Sequence, residues 1–139
     1  MKATVIVTNE IEDLDEGVDA ESAENCYSAE LTRGDAWDRL TYSEESEGGR
    51  ILTDIKVMGD RVILRRSGGI SSIMHFEMGY RHSSSYKISP FEFDMEIETE
   101  ELSVKRDEER ILVSAKYLMT VGGARKRCSM TFAVLSAGE

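Results

Sequence analysis

One proline, two histidines and two cysteines are all that 139 residues contain of these types. So little proline leaves room for long strands, because proline cannot donate to a β-ladder. Cys26 and Cys128 lie far apart, and no CxxC or His/Cys cluster has zinc spacing, so no metal site is expected. No apolar run approaches the roughly 18 residues of a membrane-spanning helix. The opening Met1-Lys2-Ala3-Thr4-Val5-Ile6-Val7-Thr8 lacks an apolar stretch with a small-residue cleavage site and reads as a strand instead of a signal peptide. The chain is therefore expected in the cytoplasm, off the membrane, with both thiols free.

Residues 10–24 contain no Lys or Arg. They carry Glu10, Glu12, Asp13, Asp15, Glu16, Asp19, Glu21 and Glu24, which account for most of the net charge of −10. The rest of the chain is nearly neutral and the one strongly charged stretch is acidic, which argues against nonspecific nucleic-acid binding, since that depends on clustered bases neutralising phosphates. The run reads as a solvated acidic loop at about residues 12–24.

Alternation is what the chain has in abundance. From Phe91 to Glu100 apolar or Thr side chains take the odd positions and acids the even ones. Only a strand places residues i, i+2 and i+4 on one face. The same period recurs between short turn signals, as at Gly59-Asp60, Ser67-Gly68-Gly69 and Gly122-Gly123, and no segment has helical periodicity. An all-β, antiparallel, up-and-down barrel of about eight to ten strands is predicted, as one domain over residues 1–139. Closure into a barrel removes the exposed edges that an open meander would leave. The inward set includes Ile70, Met74, Phe76 and Met78; Phe91, Phe93, Met95 and Ile97; Ile111, Val113, Ala115, Tyr117 and Met119; and Cys128, Met130, Phe132 and Val134.

Several short motifs occur in a fixed order: Tyr42-Ser43-Glu44-Glu45, then Val62-Ile63-Leu64-Arg65-Arg66-Ser67-Gly68, then Met74-His75-Phe76-Glu77-Met78-Gly79, then Tyr86-Lys87-Ile88-Ser89-Pro90, then Ile97-Glu98-Thr99. In this order the chain resembles the YwiB-like family of small bacterial proteins of unknown function. Arg66 and Gly68 fit that family's Arg-x-Gly. The chain departs from its Tyr-x-Thr-Pro-x-Gly segment, with Tyr86 and Pro90 one residue further apart, Ser89 for Thr and Glu92 for Gly. The resemblance implies a calycin-like barrel, related in shape to lipocalins and fatty-acid-binding proteins. It implies no activity, since fold alone does not give function.

Candidate chemistry is sparse. Arg66 alternates with Leu64 and Val62, so it points inward, where a charge needs a partner or a ligand carboxylate. His75 and Glu77 fall on the opposite phase from Met74, Phe76 and Met78, which makes a solvated surface the commoner reading of the pair. His82 beside Ser83, Ser84 and Ser85 lacks the third group that a Ser-His nucleophile needs. Asp13, Asp15, Asp19, Glu21 and Glu24 match a Ca²⁺-loop spacing, but Val18 stands where that loop needs glycine. Arg33-Gly34-Asp35 reads as a tight turn, and Arg125-Lys126-Arg127 as a solvated one. The stripe Glu92, Asp94, Glu96, Glu98 and Glu100 is expected to pair across strands with the face that carries Lys116.

No catalytic residue, metal or cofactor is expected, and the chain is read as non-enzymatic. Two readings of function stay open. In the first, the barrel takes a small, mostly apolar ligand, lined by Arg66, Met74, Phe76, Tyr86, Phe93 and Tyr117, with Arg66 and Tyr86 as polar anchors. In the second, the barrel is filled by its own side chains, and an outer surface binds a protein partner or makes a homodimer.

Overall fold

The computed structural model describes residues 1–15 and 21–136. Ten strands make up the described chain: β1 (Lys2–Asp13), β2 (Glu21–Arg33), β3 (Trp37–Ser46), β4 (Gly49–Met58), β5 (Arg61–Gly68), β6 (Ser72–Glu77), β7 (Arg81–Ile88), β8 (Phe91–Arg106), β9 (Arg110–Val121) and β10 (Ala124–Ser136). No helix occurs among the described residues, so none is long and apolar enough to cross a membrane. Every ladder is antiparallel, and the sheet order is β6-β5-β4-β3-β2-β1-β10-β9-β8-β7. The sequence order is thus that of an up-and-down barrel whose first and last strands pair over nearly their full length, Ala3↔Ser136 to Asp13↔Lys126. The one seam falls between β6 and β7, where the backbone bridge Ser71↔Lys87 joins the edges.

Alternation decides the inside. Val5, Leu31, Leu40, Ile55, Leu64, Phe76, Ile97, Val113 and Phe132 all lie in one buried cluster. Each large apolar side chain removed from water contributes on the order of 1.5–3 kcal/mol before the entropy of ordering it is counted.

Strand β8 is the longest and changes phase partway. Its ladder to β9 reads Thr99↔Tyr117 and then Glu101↔Lys116, so Glu100 is an extra residue. Such a bulge leaves one residue unpaired and bends the strand. Before it Met95, Ile97 and Thr99 are buried; after it the even-numbered Leu102, Val104 and Arg106 turn inward. The bulge also changes the pairing of the acidic stripe. Lys116 meets Glu101, 3.6 Å away. The stripe itself is neutralised mainly from β7, by Arg81 to Glu96 and Glu98 and by Lys87 to Glu92, with Arg127 serving Glu100.

Three expectations change at strand ends. Met78 is 64 % exposed, because β6 stops at Glu77 and a turn follows through Gly79. Phe91 faces the inward side yet is 62 % exposed, since β7 and β8 run past the packed core there. Among the described residues of the acidic run 12–24, six of eight are strand: β1 continues to Asp13 and β2 begins at Glu21, because the hairpin ladder runs on to Ile11↔Glu21. Its Glu16 and Asp19 lie outside the described residues. Asp15 caps the basic corner of β10, accepting the Arg125 N–H at 2.8 Å and the guanidinium at 3.3 Å, which holds its carboxyl below the usual range.

Candidate functional site

The two ends of the barrel differ in chemistry. One end is closed by a charge cluster. Asp38 on β3 is fully buried and accepts from Arg33 Nε at 2.9 Å and from Arg106 Nε at 2.6 Å. Arg106 Nη2 also reaches the Gly34 carbonyl at 2.9 Å, and Arg33 Nη2 reaches that of Asp107 at 2.7 Å. Burial alone pushes the Asp38 carboxyl up, but the hydrogen bonds from Arg106 and Arg33 outweigh it and the net shift is down. Arg33-Gly34-Asp35 does turn the chain, with Gly34 N–H donating to Trp37 O at 2.8 Å, and its arginine is committed to this plug.

The other end holds three of the four buried side-chain polar atoms that lack a hydrogen-bond partner among the described residues. Strand register places Tyr42, Thr53, Arg66 and Ser72 abreast on β3, β4, β5 and β6. The Ser71↔Lys87 bridge continues this row across the seam to Tyr86, which pairs with Phe93. Thr53 is 1 % exposed and Ser72 4 %. Thr53 Oγ1, Ser72 Oγ and Arg66 Nε are buried with no protein hydrogen-bond partner. No ion pair engages Arg66 among the described residues. Glu44, on the same phase as Tyr42 and one step nearer the turns, accepts from the Tyr27 hydroxyl at 2.9 Å. Burial and then Glu44 push the Tyr27 phenol up to about 12. Burial likewise raises Tyr42, with the Arg66 cation and then the neighbouring Thr53 hydroxyl pulling the other way.

Beside this row the wall is split. The β2–β3 ladder spans only Glu30↔Thr41 to Arg33↔Asp38, so Glu21 to Ala29 run free of β3. Tyr27 and Tyr42 bridge the split by stacking, their rings 4.7 Å apart. A concavity of about 810 Å³ lies mainly on the outer wall of β1–β5, and Tyr42 and Thr53 form part of its lining where the ladder stops. Across the mouth the β7–β8 hairpin shows water three apolar side chains, Ile88, Phe91 and Phe93.

The six residues predicted to line a ligand thus fall into two layers. Arg66, Tyr86 and Phe93 stand in the row at the mouth. Met74, Phe76 and Tyr117 lie below it and are buried. The Phe76 and Tyr117 ring centroids are 4.8 Å apart, so this layer is filled by its own side chains. Burial, and after it Cys128, push the Tyr117 phenol strongly up.

The histidines meet at the seam. His75 and His82 ring centroids are 5.8 Å apart, Tyr80 lies 4.5 Å from His75, and His75 Nε2 is 3.2 Å from Glu77 Oε1. Ser84 Oγ donates to the Ile73 carbonyl at 2.9 Å, so this hydroxyl serves closure of the barrel. Among the described residues no group of three or more acids, histidines and cysteines is arranged to hold a metal. Cys26 is exposed and Cys128 buried, both free.

Reading by strand period did not single out Asp38, Thr53 and Ser72. Their signal was phase: each is a polar residue in step with apolar neighbours, as in Asp38-x-Leu40-x-Tyr42, Thr53-x-Ile55-x-Val57 and Ser72-x-Met74-x-Phe76.

An antiparallel barrel with one plugged end and one polar mouth defines the class as a small all-β barrel protein. The chain belongs to the family described as a domain of unknown function, DUF1934, whose model matches residues 5–131. It is similar to the uncharacterised β-barrel protein YwiB of Bacillus subtilis (strain 168), 32 % identical over 83 residues, a match spanning 60 % of this chain and 58 % of that one. The crystal structure of the ywiB protein from Bacillus subtilis superposes with a TM-score of 0.87 at 26 % identity, covering 99 % of this chain and 92 % of that one.

Proposed function

We propose that the protein is a non-catalytic binding module that seats a small amphipathic ligand across the mouth of the barrel. The observation that carries this reading is the trio Thr53 Oγ1, Arg66 Nε and Ser72 Oγ, buried on three adjacent strands without protein partners. Buried polar groups in native proteins are nearly always satisfied, and an orphan costs about 1–3 kcal/mol. Three in one row, next to a gap in the wall, fit a site that is completed by another molecule. The apolar part of that molecule would lie against Phe93 and Tyr86. The deeper residues Met74, Phe76 and Tyr117 serve as its floor. An exposed free thiol at Cys26 suits the reducing cytoplasm, where we place the protein.

Native mass spectrometry of gently purified protein tests this. A small molecule retained by the wild type and lost from Arg66→Gln supports the site. A protein that stays empty from every gentle preparation, and that no small molecule in a broad screen stabilises, counts against it.

A second reading rests on a different observation. The filled lower layer and the exposed Ile88, Phe91 and Phe93 suit a homodimer built on the β7–β8 hairpin. A monomer in light scattering at high concentration, unchanged in Phe91→Ser, removes it.

A further inference from the structure

The chemistry of the ligand's head can be argued further, resting on the reading of the mouth as a ligand site. We infer that Arg66, Thr53 and Ser72 form an oxyanion site for a compact carboxylate or phosphate monoester. Arg66 has its Nε buried and no carboxylate partner. A guanidinium is always charged and presents its donors as a planar fork that matches two oxygens of one oxyanion. Thr53 is opposite Arg66 on one side and Ser72 on the other, so two hydroxyls flank the fork; the Ser72 hydroxyl has no partner, while that of Thr53 lies beside the Tyr42 phenol. A neutral ligand would satisfy the hydroxyls but bring no counter-charge to the half-buried guanidinium, whose Nε is buried without a partner.

Glu44, on the same phase as Tyr42 and one step toward the mouth, accepts from the Tyr27 hydroxyl and makes no ion pair with Arg66 among the described residues. Size follows from the next layer inward. Leu64 and Met74, one pleat below Arg66 and Ser72, are buried in the core and fill the space that a long acyl chain would need. The ligand therefore carries its anionic head on a short body.

Three probes decide it: benzoate, its neutral isostere benzamide, and inorganic phosphate, each titrated into the full chain. Midpoints of thermal unfolding and the Arg66 Nε–Hε resonance are followed. Benzoate or phosphate is expected to raise the midpoint and move the resonance, benzamide to do neither, and Arg66→Gln to weaken binding roughly tenfold or more. Equal responses to benzoate and benzamide overturn the oxyanion site while leaving a ligand site standing. No response to either anion also overturns it, and an empty protein in native mass spectrometry then removes the ligand site as well.

Variants without any probe give an independent readout. Arg66→Met and Ser72→Ala remove groups that wait for a partner, so each is expected to raise the unfolding midpoint by roughly 2–6 °C. A fall in both, matched by an equal fall in Glu44→Gln, would make Arg66 a structural partner of Glu44 and overturn the inference.

Discussion

Asp38 and Arg106, 68 residues apart in sequence, are joined by a 2.6 Å hydrogen bond that ties β3 to β8 across the closed end of the barrel. The bond is one of three charge-assisted contacts on the same carboxylate, with a second to Arg106 and one to Arg33. Removing one partner of a buried ion pair leaves the other charge uncompensated, at about 3–5 kcal/mol. Asp38→Ala is therefore expected to destabilise the protein by about that amount, since two arginines would then face each other. Arg33→Ala should cost less than Arg106→Ala, because it removes one of the three contacts. Urea unfolding of the three variants checks the order.

The same carboxylate sets an acid limit. Its folded pKa lies below the unfolded value of about 3.9. Between the two values the unfolded chain binds more protons, so stability rises with pH there. The contribution is fully present above the unfolded pKa and is lost as pH falls through the folded one. Asp38→Asn should flatten the acid end of the stability-versus-pH curve below about pH 4. An unchanged acid limb would show that other carboxylates dominate it.

The seam titrates in a different window. Burial, and next the neighbouring His75, lower the pKa of His82, partly offset by the Ile73 carbonyl. A histidine lowered in the folded state is protonated more readily in the unfolded one. Its contribution is present above the unfolded value of about 6.5 and declines as pH falls from there toward the folded pKa. Unfolding midpoints should therefore drop between about pH 7 and the folded pKa, and His82→Phe should weaken that slope. A slope that survives this variant unchanged would show that His82 does not set it.

Much of this architecture was legible because strand period is local. Inward phase could be read residue by residue along β5, β9 and β10, and it held. The order of strands was not legible to the same degree. That β1 closes on β10 while β6 and β7 meet through one backbone bridge is a property of the whole sheet, and no window of sequence carries it. Arg66 was visible as an inward charge, but the absence of its partner was not, because partners come from other strands. Asp38 was passed over since Trp37 and Arg39 beside it look like a surface.

Gly68 explains one motif in physical terms. Its φ is +98°, and a Cβ there would lie 2.0 Å from the Arg50 carbonyl oxygen across the β4–β5 ladder. The Arg-x-Gly pattern thus pairs an inward cation with a backbone position that no side chain fits. Gly68→Ala is expected to cost at least the roughly 1–3 kcal/mol of left-handed strain, with the clash added. Thermal unfolding should show the loss. Gly59→Ala, where a Cβ meets nothing within 4 Å, is the control and should change little.

The bulge at Glu100 makes a sharper prediction, because one extra residue reconciles two halves of β8. Residues Met95, Ile97 and Thr99 before it and Leu102, Val104 and Arg106 after it all face inward only because Glu100 shifts the phase between them. Deleting Glu100 would slip the register by one, and a one-residue slip turns a whole set of side chains to the other face. Either the buried Met95 and Ile97 or the Arg106 that holds Asp38 would have to leave the interior. Deletion of Glu100 is therefore expected to abolish folding, read as loss of soluble protein and of the cooperative unfolding transition. Replacement by Ala keeps the residue count and removes only an exposed pair with Arg127, 3.3 Å away. Glu100→Ala should then stay within about 1 kcal/mol of wild type. A folded, cooperative deletion variant would mean that β8 can re-pair without the bulge, and that the two halves of the strand are set independently by β7 and β9.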